Sequence, residues 1–150
     1  MKYSLSEILD ACSKLGSTKE KVAFLQHYDT LTLRLVLQYA LDYRVEWLLP
    51  HGTPPYKPCE YLDQHARLFQ ETRKLNLFVK GGDHPDMHTI KREQLFIQFL
   101  EGLDPQDAAM MCSIKDKKVP FNGINASLVN AAFPGLIETR SKKQSDQAEA

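Results

Sequence analysis

Apolar residues in the first third of the chain recur at three- and four-residue spacing, and each run is opened by a residue able to cap a helix. Ser4, with Glu7 three places on, has the capping-box form and precedes Leu5, Ile8, Leu9, Cys12 and Leu15 on one stripe, which Gly16 stops. Ser17 with Glu20 repeats that form, and Val22, Ala23, Leu25 and Tyr28 supply the apolar face of a second helix. After Thr30 the run LTLRLVLQYALDYRVEWLL is apolar enough for a buried third helix, although its opening alternates as a strand does.

The stretch PHGTPPYKP, from Pro50 to Pro58, cannot continue a helix or a central strand and is read as a loop. Helical spacing returns through Leu62, Ala66, Phe69 and Leu75, and Gly81 and Gly82 end it. A fifth helix is expected from about Met87 to Leu103, with Ile90, Gln94, Ile97 and Leu100 or Leu95, Phe99 and Leu103 as its inner stripe. Asp104 and Pro105 form an N-cap and N1 pair for a sixth, which carries Ala108, Met111, Cys112 and Ile114 inward and is closed by the charged run KDKK. Asn125 caps a short last helix bearing Leu128, Val129 and Ala132, halted before Pro134.

These segments describe an all-α protein: a single domain of about seven short helices over residues 1–137, followed by a polar, aperiodic tail over 138–150. A chain of 150 residues suffices for one hydrophobic core, and no internal repeat of fixed period is present. Formal net charge is zero, with 19 basic and 19 acidic residues, so the chain lacks the overall basic excess of a strong nonspecific nucleic-acid binder. Cys12, Cys59 and Cys112 are widely spaced and contain no CxxC pair, which implies neither a zinc site nor a disulfide framework and suits a reducing cytoplasm. No run approaches the roughly 18 apolar residues of a membrane span, and the first residues do not read as a signal peptide.

Three stretches share an order with a known domain. ILDACSKLGSTKEKVAFL near the start, TRKL at Thr72 to Leu75, and LVNAAFPGLI near the end resemble, in sequence and spacing, the amino-terminal DNA-binding domain of T-even phage DNA ligases. The resemblance covers residues 5 to 137 and implies an all-helical, ligase DNA-binding-domain-like fold that grips the backbone of duplex DNA. Ser17, Thr18 and Lys19 at the second helix start, and Gly123, Asn125 and Ser127 at the last one, are the matching positions. Helix N-termini suit that role, because unpaired N–H groups and the positive end of the helix dipole meet phosphate oxygens.

The chain has no nucleotidyltransferase domain and no KxDG-type adenylation lysine, so the resemblance extends to binding and not to ligation. It implies a noncatalytic phage accessory protein of replication, repair or recombination, placed in the host cytoplasm, with duplex DNA as partner and no cofactor. The alternative is a protein-interaction module or inhibitor that keeps the fold and binds a host or phage protein.

Further basic positions, Arg67, Arg73 and Lys74 on the fourth helix and Lys115, Lys117 and Lys118 after the sixth, complete a local basic face if the fold gathers them with Lys19. Other chemistry is weaker. His84 and His88 stand i, i+4, but Pro85 interrupts the helix that a chelating pair needs. KGGDHPD lacks the spacing of a phosphate loop, and Cys59 with His65 forms a nucleophile pair only if folding joins them. Tyr39, Tyr43, Trp47, Tyr56 and Tyr61 around the proline loop read first as core and second as a partner-binding patch.

Overall fold

The structure, a computed structural model, describes residues 3–59, 64 and 66–137. The expected tail lies outside the described residues, as do Tyr61, Leu62 and His65. Seven α-helices occur among those described: α1 (Leu5–Ser13), α2 (Thr18–His27), α3 (Leu31–Leu41), α4 (Arg67–Gln70), α5 (Thr89–Glu101), α6 (Pro105–Lys115) and α7 (Ala126–Ala132), with a 3-10 helix at Thr72–Phe78. The fold is all-helical, with one isolated antiparallel bridge, Trp47 to Val79, and no strand among the described residues.

The caps fall where the sequence places them. The hydroxyls of Ser4, Ser17 and Thr30 accept from Glu7, Glu20 and Leu33 amides, and the Asp104 and Asn125 side chains accept from Gln106 and Leu128. One core joins all the helices, from Leu5, Leu9 and Cys12 through Leu33, Val36 and Leu37 to Phe96, Leu100, Met111 and Val129. A chain of ring contacts runs through it: Tyr39 meets Trp47, Trp47 meets Phe96, and Phe96 meets Phe78 and Phe99. Tyr39, Trp47 and Tyr56 therefore pack on the core, whereas Tyr43 is exposed.

Two segments depart from simple periodicity. The apolar run after Thr30 leaves the helix at Asp42, whose carboxylate takes the Arg44 guanidinium and amide. Beyond it the chain is extended, and Leu48 and Lys80 amides exchange bonds with Phe78 and Glu46 carbonyls. The fourth helix is one α turn and then a 3-10 segment, because the Thr72 hydroxyl bonds the Leu68 and Phe69 carbonyls as well as the Thr32 hydroxyl. In α5 the buried set is Arg92, Phe96, Phe99 and Leu100, with Leu103 beyond its end, so neither expected stripe is the inner face as written; Ile90 is exposed. Arg92 lies inside because three carbonyls, of Leu77, His84 and Met87, surround its guanidinium.

The KDKK run, expected to close the sixth helix and to lend lysines to a basic face, is a junction. Lys115 is 4% exposed, and its Nζ donates to the Pro50 carbonyl and to Asp116 Oδ1, both at 2.7 Å. Asp116 also accepts the Gly52 amide, and against the penalty of burial the Lys115 ammonium holds its carboxyl below the usual carboxylate range. Lys117, at a left-handed φ of 65°, donates to the carbonyls of Tyr39, Asp42 and Val45 at 3.0, 2.7 and 3.0 Å. It closes the C-terminus of α3 and lowers the cost of that chain reversal. Replacing it by methionine keeps the stem and removes the cation. Lys117→Met is expected to lose about 1–3 kcal/mol in chemical denaturation, while Lys118→Met at the exposed neighbour stays within about 0.5 kcal/mol.

Asp107, fully buried in the first turn of α6, caps a different helix: its Oδ1 accepts the Ser6 amide of α1 at 2.9 Å. Its second oxygen has no partner among the described residues. Burial foremost, with repulsion from Asp104 and Glu7, pushes its pKa to about 6. The folded protein thus favours the protonated acid. That contribution is complete below about pH 4 and lost as pH rises through 6, worth up to roughly 3 kcal/mol. In urea titrations between pH 4 and 7 the wild type should lose stability relative to Asp107→Asn, and parallel curves for the two would refute the assignment.

Candidate nucleic-acid interface

Helices α2 and α7 are packed side by side and run in the same sense. Near their starts the Lys21 ammonium lies against Gly123, where an added Cβ would stand 2.4 Å from Nζ. Near their ends the Gln26 amide donates to the Ala132 carbonyl at 3.0 Å. Their N-termini consequently point to the same side of the molecule. The structure brings Ser17, Thr18 and Lys19 to the same end of the bundle as Gly123, Asn125 and Ser127, and all six are exposed.

Ser17 and Asn125 use their side chains as caps, on Glu20 and Leu128. The amides of Thr18, Lys19, Ala126 and Ser127 meet no acceptor among the described residues, as first-turn amides do unless an outside group supplies one. Gly123 sits at φ 82°, a region that L side chains rarely adopt, and the resulting turn leads into Asn125. Behind α7, Asn130 exchanges hydrogen bonds with the Ile137 amide and carbonyl across a turn at Pro134 and Gly135. That clasp is what the aromatic-PGLI stretch builds. The Arg34 guanidinium lies 4.7 Å above the Phe133 ring and fixes the end of α7 to α3.

Among the remaining basic candidates, Lys115 and Lys117 are withdrawn from a basic face, because both ammonium groups are consumed by the carbonyls and carboxylate described above. Arg67 and Lys74 converge on Glu71 instead, Arg67 Nε at 3.5 Å from its carboxylate. Arg73 and Lys118 are exposed. Lys21 was not singled out by motif. Its position three and four residues after Thr18 and Ser17, on the turn they open, is the signal that marks it.

Other groups serve the fold. His88 Nδ1 accepts the Ile90 amide and caps α5, and no group of three or more His, Cys, Asp or Glu able to hold a metal occurs among the described residues. The KGGD turn wraps Asn76: a Cβ on Gly82 would fall 1.9 Å from Asn76 Oδ1, and the Asp83 amide donates to that oxygen. No helix among the described residues is long and apolar enough to cross a membrane.

A family model covers residues 8–120, the greater part of the sequence. The chain belongs to DUF6433, a family of unknown function. No curated protein matches the sequence. The matched part of this DUF6433 member contains the start of α2 with Lys19 and Lys21, and it stops before Gly123 and α7.

The Gly123 turn is open to test. Gly123→Ala must hold a left-handed φ and displace the Lys21 amine, so a loss of about 1–2 kcal/mol is expected in thermal or chemical unfolding. Gly135→Ala, at φ 83° with nothing near its added Cβ, measures the backbone cost without the Lys21 contact.

Proposed function

We propose that this protein is a noncatalytic duplex-DNA-binding accessory factor, phage-encoded as the ligase resemblance suggests, that contacts backbone phosphates at the paired starts of α2 and α7. The parallel α2–α7 packing carries this reading: it unites two sets of exposed helix-start residues about a hundred positions apart in sequence, those the ligase resemblance selects. Two sets of open amides, two positive dipole ends and the lysines Lys19 and Lys21 suit two neighbouring phosphates. Affinity then rests on local arrangement, since net charge is zero and Lys115 and Lys117 are engaged internally.

Few phosphates are neutralised at such a site, so binding should be weak and modestly salt-dependent. Fluorescence anisotropy with intact and nicked duplex at 20–200 mM salt is expected to give a log–log slope of about −2 to −3. Lys19→Ala and Lys21→Ala should each reduce that slope by about one, uniformly across sequences. Absence of binding at the lowest salt, or unchanged binding by the double variant, would sink the proposal.

A further inference from the structure

A concavity runs along α1, α2 and α6, and none of the helix-start residues Ser17, Thr18, Lys19, Gly123, Asn125 and Ser127 lines it. It has a volume of about 810 Å³ and is bordered by Tyr3, Phe24, Tyr28, Met110 and Phe121. The Phe24 and Tyr28 rings meet at a tilt with centroids 4.9 Å apart, and Tyr3 is 51% exposed. On α6 the lining residues Gln106, Ala109, Met110 and Ser113 follow helical spacing, as Glu7, Asp10 and Ala11 do on α1. Ala11 and Ala109 are both exposed, and their small side chains leave the hollow between the helices unfilled.

Charge around this groove has one sign. Glu7 and Asp10 are its charged lining residues, and no lysine, arginine or histidine lines it among the described residues. Behind the wall, next to Ser6 and Gln106, stands the buried Asp107 carboxylate with one unpartnered oxygen; Asp104 and Glu7 are near enough to act on it. The charged rim of the aromatic hollow, Glu7 and Asp10, is thus acidic. Lys14, an exposed i, i+4 partner of Asp10 at 3.0 Å, offsets little of that charge.

We infer that this groove binds a basic amphipathic helical segment of another protein, its apolar face against Phe24, Tyr28, Met110 and Phe121 and its lysines or arginines toward Glu7 and Asp10. An apolar lining with an acidic rim, spread along α1, α2 and α6, suits a helical segment. A small molecule gains affinity when most of its surface is enclosed, whereas a helix laid in a groove needs one apolar wall and charge along the rim. The inference does not depend on the duplex-binding reading, because its residues and those at the starts of α2 and α7 are different.

The test uses the full chain and a fluorescein-labelled synthetic helix of leucine and lysine at amphipathic spacing, with a leucine–glutamate counterpart of the same pattern. Anisotropy should show salt-sensitive binding of the lysine peptide and at least about tenfold weaker binding of the glutamate peptide. Ala109→Trp and Ala11→Trp fill the hollow from exposed positions and should each weaken the lysine peptide by about tenfold, with helical circular dichroism retained. Asp10→Lys alters the rim alone and should weaken it about fivefold, while Ile90→Asp, at an exposed apolar site elsewhere, should change nothing. Equal binding of the two peptides, indifference to the groove variants, or an equal loss in Ile90→Asp would overturn the inference. So would concentration-dependent self-association of the wild type that Ala109→Trp abolishes, since a second copy would then be the occupant.

Discussion

Three consecutive charged residues at the end of α6 hold the middle of this protein together. Lys115 reaches back to the Pro50 carbonyl, Asp116 receives the Gly52 amide, and Lys117 gathers three carbonyls around the end of α3. Between Asp42 and Thr53 the chain makes no helix, and its backbone groups would otherwise compete for water. Ammonium groups solve that problem well, because one nitrogen donates three bonds and favours the negative end of a helix. The extended segment, the Trp47–Val79 bridge and the aromatic chain behind it rest on that fastening.

The same residues show why part of the structure was legible in the sequence and part was not. Caps are local, so Ser4, Ser17, Asp104 and Asn125 announce their helices within three residues. Apolar stripes are local as well, and those of α6 and α7 are the buried ones, as is that of α1 up to Cys12, with Leu15 only partly covered. Lys115 and Lys117 are different: the carbonyls they bind are 65 to 78 positions away, and nothing nearby announces that reach. Arg92 escaped for a related reason, since a buried arginine is recognised only by the carbonyls that surround it. At the α4 segment a side-chain hydroxyl outweighed periodicity, which no count of apolar positions detects.

For the candidate interface the balance is similar. Each helix start could be read separately, but their union depends on α2 and α7 packing in parallel, which sets Lys21 against Gly123. Helix α2 consequently serves two surfaces. Its first turn joins the open amides of α7, and its later turn carries Phe24 and Tyr28 into the aromatic groove. A rotation of that helix moves both surfaces at once, which makes Leu25, its one fully buried residue, the pivot of their relative placement.

The Gln26–Ala132 bond joins positions 106 residues apart, and this separation governs the order in which the protein assembles. During synthesis α1, α2 and α3 leave the ribosome long before α7 exists, so α2 must wait with one flank uncovered until almost the whole domain has been made. Closing so long a loop is entropically slow, and it is repaid only when α7 packs against α2, its principal neighbour. During synthesis α7 is therefore the last helix available to cover α2, and until it emerges that flank lies open.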